Sequence, residues 1–582
     1  MPFGIDMMRR WLYILCVSLL FTSCNIDEVF EDKTPQITLD SPTGIYTVKQ
    51  YGEVLISPDY TNDEGATYSW RIGGVEVCTE RAFLFNDTAE VGSKYISLTV
   101  ANEVGSATKQ MRVDVVELEI PSLSLAGADE GFMVVKGETI VLKASMRTIS
   151  LPTDVEWLIG GEVVGKGLSF AFEGATVGRY DLEVRAENAD GKARVTTTID
   201  VVEERPFEWS FGCTEFNLTA GRRARLAPET YTLKDNVQYT FALGDEVLWH
   251  GAEPIYNFER SELGVYEVVL TATISHSDRV EERQQKFVIT VLSNEDTFYR
   301  EATAQSSPSW SRVYEYTPAP GQFINDGKVG GFDGSQTTPE RAVEYATKRL
   351  SLGSWVSLGG FGGYIVVGFD HSIVNTGGYD LAIAGNQFDG SSEPGIVWVM
   401  QDENGDGEPN DTWYELAGSE SGESETKRNY AVTYYRPSDR AMSVQWRDSE
   451  GRSGEIEYLK ATHDQDYYYP LWIEGKSYTL RGTRLKERNY DSSNEGLYWE
   501  QLAYDWGYAD NISTTDMVEL KGVGCNRFKI ANAIDGSGER VHLKYIDFVK
   551  VQTACNANSG WLGENSAEVM DFVDYSMQSG KE

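Results

Sequence analysis

The run Asp402-Glu403-Asn404-Gly405-Asp406-Gly407 puts oxygen-bearing side chains at alternate positions and a glycine where the chain must turn sharply. Hard divalent cations are held by carboxylate, amide and carbonyl oxygens, and Asp-x-Asn-x-Asp-Gly is the first half of a calcium loop. The second half departs from the helix-flanked form of that loop. Trp413 stands where the closing bidentate Glu belongs, so closure falls to Asp411 or Glu415. The candidate ligands are Asp402, Asn404, Asp406, Glu408 and Asp411, and the expected ion is a structural calcium. The same residues also suit a solvated hairpin turn, because Asn, Asp and Gly dominate turns for local reasons.

A second group of side chains suits binding rather than reaction. Rings and amides cluster around Trp472, around Trp506, Tyr508, Asp510 and Asn511, and around Trp561. Aromatic side chains give wide contact area at little entropic cost, and neighbouring amides and acids add directional hydrogen bonds. These six are the candidate ligand-binding residues; a core role is expected for at least half of the rings in this region. No zinc-protease or nucleophile-elbow motif is present, and paired acids are uninformative in a chain with 90 of them. The chain therefore reads as non-catalytic. His371 and His463 read as satisfied core or turn histidines.

Strands must position these residues. Leu381-Ala382-Ile383 and Ile396-Val397-Trp398-Val399 read as buried strands, the second leading into a hairpin around the acid loop. Further strands are expected at 455–458, 527–531 and 541–551. The Gly-Gly pairs at 359–363 fit strand turns better than a dinucleotide fingerprint. With no long helical periodicity, residues 294–582 read as one jelly-roll-like β-sandwich, similar to the galactose-binding-like fold.

Three repeats precede this domain, at 35–117, 118–203 and 204–293. Trp70 with Gly73-Gly74, Trp157 with Gly160-Gly161, and Phe241 with Gly244 recur, each followed by a Gly-x-Tyr or Gly-x-x-Tyr strand at Gly92, Gly178 and Gly264. Short alternating runs separated by turns predict small antiparallel sandwiches. The units resemble PKD-type immunoglobulin-like domains, and the expected architecture is all-β: three tandem sandwiches, acting as a stalk, then the larger one.

At the N-terminus, Arg9-Arg10, a short apolar run and Thr22-Ser23-Cys24 make residues 1–23 a lipoprotein signal peptide and Cys24 the lipidated residue. The acidic linker 24–34 is similar to the surface-export signal of Bacteroidetes lipoproteins, which implies an outer-membrane anchor facing outward. A net charge of -39 in 582 residues argues against nucleic acid. Beyond the signal and anchor, Cys78, Cys213, Cys525 and Cys555 remain, and the last two share a domain in which they could bridge.

The motifs GFDHSI at 368–373, SSEPGIV at 391–397, the acid loop continued to Ser419, WGYADN at 506–511 and IDFVKVQT at 546–553 resemble those of a Bacteroidetes cell-surface family. Some of its members look like the BtuH-type cobalamin-binding lipoproteins. That resemblance implies capture of cobalamin or another corrinoid beside an outer-membrane TonB-dependent transporter. A surface glycan-binding protein and a calcium-dependent adhesin remain open from the residues themselves. Rings along one strand face would favour the glycan; rings gathered from several loops at one end would favour the corrinoid.

Overall fold

The computed structural model describes residues 33–579, so the signal peptide and Cys24 lie outside the described residues. The chain divides after Leu118 into two units. In the first, a five-stranded sheet runs Ile45–Lys49, Ser106–Val116, Gly92–Ala101, Thr67–Ile72, Val75–Cys78, its outer pair parallel and the rest antiparallel. Trp70 is fully buried at its centre and donates its indole N–H to the Glu80 carbonyl at 2.8 Å.

The second unit repeats that arrangement twice. Phe132–Val135 and Glu215–Thr219 are the parallel edge strands, and Trp157 and Phe241 occupy the place of Trp70. Trp157 also keeps its indole hydrogen bond, to the Gly167 carbonyl at 2.7 Å. The Gly73-Gly74 and Gly160-Gly161 pairs have positive φ at both residues, the hairpin-turn conformation that glycine enters without strain. Tyrosine corners form at Tyr180 and Tyr266, whose hydroxyls donate to the carbonyls of Thr176 and Glu262.

In the C-terminal region a six-stranded sheet, in the order Arg312–Thr317, Tyr364–Val374, Tyr545–Thr553, Gly395–Met400, Tyr414–Leu416, Ala533–Ile534, shares one core with a four-stranded sheet. The four strands are Met517–Leu520, Val523–Phe528, Leu381–Ala384 and Asp571–Asp574. Alternation decides which residues face that core. Leu381 and Ile383 enter it with Phe528 and Phe572, while Ala382 and Ala384 join Cys525 and Val573 on the other face. A further antiparallel sheet holds Ser453–Ile456, Val444–Asp448, Lys427–Tyr435 and Ser477–Arg484. The all-β expectation holds, as does the hairpin around the acid loop, where Trp398 pairs with Glu415 and Val399 with Tyr414.

A long helix was not expected. Pro339–Ser351 is a helix capped by Thr338, with proline at its first turn and Lys348 and Arg349 at its last. Ala342, Ala346 and Leu350 face the core at helical spacing, but two of the three are alanines, so the hydrophobic stripe is faint in the sequence. All four later cysteines are free; Cys525 and Cys555 sit in separate buried settings and do not bridge.

The second and third repeats do not project freely as a stalk. Ser122 bonds to Asp439 at 2.6 Å, and Gln445 bonds to the Lys143 carbonyl at 2.8 Å. From the third repeat, buried Arg222 pairs with Glu295 and bonds to Gln401 and the His542 carbonyl. Thr219 N donates to Glu403 Oε1 at 3.1 Å. Removing one partner of a buried ion pair leaves the other uncompensated. Arg222→Ala is therefore expected to cost about 3 kcal/mol by chemical denaturation, and a chain beginning at Asn294 should melt below the full chain. An unchanged midpoint in both would make the junction incidental.

Candidate functional site

Three loops meet at one end of the C-terminal sandwich. The hairpin of Asn489–Asp491 and Trp499–Gln501 is tied to the loop before Gly395 by Gln501 N to the Gly390 carbonyl at 2.9 Å and Ser392 N to the Gln501 carbonyl at 3.1 Å. It is tied to the 556–565 loop by Trp561 Nε1 to the Leu497 carbonyl at 3.1 Å and Asn489 Nδ2 to Ser559 Oγ at 2.6 Å. These loops carry exposed rings. Tyr498 is 69% exposed, Phe388 65% and Trp561 53%, with Tyr490 beside them in the hairpin.

Within this end, Glu393, Asp510 and Glu568 bring carboxylate oxygens within 4.8 Å of one another, and among the described residues they are the group of acids so gathered. Asp510 and Glu568 are buried and Glu393 partly so. Their hydrogen-bond donors are neutral: Gln501 Nε2 and Ser566 N to Glu393, the amides of Asn386 and Glu568 to Asp510, and Ser566 Oγ to Glu568. Burial, reinforced by mutual repulsion, pushes Asp510 and Glu568 well above the carboxylate range, and burial takes Glu393 up to about 7. The Asn386 amide, oriented to donate, reaches Asp510 Oδ1 and Glu568 Oε2 at 3.2 Å each. Turned over, it would offer its oxygen to the same point. All-oxygen donors of this charge suit a hard divalent cation such as calcium. The alternative is to share protons.

The candidate ligand residues divide accordingly. Trp561 is exposed at the loop end, and Asp510 lies in the buried carboxylate group, on a left-handed backbone (φ 53°). Trp506 is half-buried beside a separate cavity of about 270 Å³ shared with Tyr379 and Arg527. The other three are interior. Trp472 packs on Tyr316 and Phe332, Tyr508 accepts the Glu420 amide on its hydroxyl, and Asn511 is closed on both the N–H and carbonyl of Tyr504. With 3%, 1% and 0% exposure, these side chains are out of reach of a bulky ligand. Both ring nitrogens of His371 are engaged, by Asp370 at 2.7 Å and Asp574 at 2.9 Å, which together raise its pKa; His463 is held by Asp326.

The acid loop is built differently from its reading as a closed ligand set. Asp402 spends its two oxygens on the amides of Gly405 and Gly407, and Asp406 accepts from Asn404, Asn410 and the Glu408 amide. Glu408 turns outward to Arg312 at 3.2 Å. Asp411 accepts the Glu403 amide and leaves Oδ1 buried without a partner, as Glu403 leaves Oε2. Burial raises Asp411 to about 6 and Glu403 to about 7. Glu403, bonded to the third repeat, was missing from the candidate ligands because the loop motif passes over its position. If the loop holds the ion, chelation is expected to lower the melting temperature of the unsubstituted chain and to leave Asp402→Ala, already short of an acceptor for two amides, unmoved. Equal midpoints with and without chelator in the unsubstituted chain would leave only the turn.

Residues 34–102 match the PKD-like domain family. The chain carries a PKD-like domain. Over 186 residues, 31% of its length, it is 28% identical to human polycystin-1, and the match spans 4% of that protein. Among solved structures it is similar to the I-band fragment I67–I69 of titin, 12% identical over 45% of this chain and 98% of that one, with a TM-score of 0.21. Sidekick-1 immunoglobulin domains 1–5 give 13% identity over 45% and 59%, again with 0.21. Scores this low carry no argument, and the sandwich assignment rests on the sheets described above.

Proposed function

We propose that this PKD-like domain protein is a non-catalytic surface lipoprotein that captures a bulky nutrient at the loop end of its C-terminal domain, with a corrinoid such as cobalamin as the ligand. The observation that carries the reading is the delivery of four exposed rings by three different loops to one end, rather than along one strand face. Separate loops can surround a broad ring system, and the polar residues Asn489 and Glu500 stand in the hairpin that carries two of the rings. The resemblance of the 368–373, 391–397 and 546–553 motifs to BtuH-type lipoproteins supports the same ligand. It also supports a lipid anchor at Cys24, an outward-facing outer-membrane location and a TonB-dependent transporter as partner. Calcium, in the acid loop or at Glu393, Asp510 and Glu568, would hold the loops rather than react.

Direct titration of the full chain with cyanocobalamin, and separately with a polysaccharide panel, tests the reading. Trp561→Ala and Tyr498→Ala are each expected to weaken cobalamin binding at least tenfold, about 1.4 kcal/mol, with the melting temperature nearly unchanged because both rings are exposed and Trp561 gives up one exposed hydrogen bond to the Leu497 carbonyl. Binding of a glycan without any corrinoid would replace this reading with a glycan-capturing one.

A further inference from the structure

A second cavity has none of the four exposed rings in its lining. On the face of the four-stranded sheet opposite the main core, the small side chains of Ala384, Cys525 and Val573 leave about 830 Å³ open beside the last turn of the Pro339–Ser351 helix. That volume is within the range of small-molecule sites, roughly 300 to 1,000 Å³. Trp310 and Met570 provide an aromatic and a polarizable apolar wall, and Asp571 stands in the same lining. Asp571 is partly buried, and its Oδ1 accepts the Phe572 amide at 2.9 Å.

The electrostatics of the lining favour a cation. Lys348 and Arg349 offset the negative pole at the C-terminal end of the helix, so the acids of the lining decide its sign: Asp571, and Glu519 at the rim. Lys521 lies close enough to Asp571 to interact with it, but it is exposed, so water screens the pair. A chain of net charge -39 also repels anionic ligands at long range. Apolar walls around one half-buried carboxylate are a setting for an apolar body carrying one positive group.

We propose that this cavity is a second small-molecule site, taking an aromatic or alicyclic amine whose ring lies against Trp310 and Met570 and whose ammonium meets Asp571. The proposal is independent of the loop-end reading. Isothermal titration of the full chain with tryptamine, using indole-3-propionate as the anionic control, tests it. Saturable one-site binding of tryptamine alone is expected, weakened at least tenfold by Asp571→Asn and abolished by Ala384→Phe, which fills the space. Should Ala384→Phe fail to fold, Asp571→Asn and the anionic control still decide. Prior saturation with cyanocobalamin should leave tryptamine affinity unchanged, and competition would overturn a separate site. So would no tryptamine binding, equal binding of indole-3-propionate, or binding that Asp571→Asn leaves intact.

Discussion

In the presence of chelator, the full chain is expected to lose stability steadily as pH rises from 5 to 8, and calcium is expected to reverse that loss. Burial raises Glu393 and Glu403 to about 7, Glu564 to about 8 and Asp411 to about 6. Each of these groups binds its proton more tightly in the folded chain than in the unfolded one. Between the ordinary carboxylate value and the raised one, the folded state therefore holds more protons, and stability falls as pH climbs through that window. The stabilisation is fully present below the unfolded value and gone above the folded one. Acids with lowered values, such as Asp491 at about 2, titrate below the window and do not offset the trend. Because a tenfold change in proton affinity is worth roughly 1.4 kcal/mol, the combined loss should amount to several kcal/mol.

A divalent cation competes with those protons. If it sits among Glu393, Asp510 and Glu568, calcium should raise the melting temperature by more at pH 8 than at pH 5, where protons already neutralise the group. Glu568→Gln should remove most of the calcium response. Glu564→Gln should flatten the pH profile and leave that response in place, because Glu564 lies outside the gathered three. Thermal melts at both pH values, with and without calcium, decide the matter. A calcium shift of the same size at both, or a midpoint indifferent to pH, would sink the cation reading of these acids.

Trp472→Ala is expected to destabilise the C-terminal domain by about 3 to 5 kcal/mol, the range for deleting a large buried ring. Its ring packs between Tyr316, 5.8 Å away, and Phe332, at 6.3 Å, in the main core. Trp472→Phe should recover much of that loss, because the indole nitrogen is buried without a hydrogen-bond partner and its removal strands no acceptor. Chemical denaturation measures both. A neutral Trp472→Ala would return this ring to the candidate ligand surface.

Features that a local pattern enforces were legible in the residues alone. The repeats stood out because each five-stranded sheet needs the same buried ring and the same turn glycines at the same spacing, and because strand alternation sorts side chains by face. The hairpin around Asp402 to Asp411 was legible for a similar reason: its turn residues are local. The helix at Pro339–Ser351 escaped because alanines make its buried stripe, so hydrophobic contrast fell below what periodicity can register. Which rings are surface and which are core depends instead on how distant segments pack. Trp472 and Trp561 were equally candidates for the ligand surface, yet one is enclosed by Tyr316 and Phe332 while the other lies half exposed on a loop. The gathering of Glu393, Asp510 and Glu568 could not be read from a chain in which 117 positions separate the first two (393 to 510) and 58 the last two (510 to 568). Bringing such distant acids together is the work of strand pairing across the sandwich, and no local propensity encodes it.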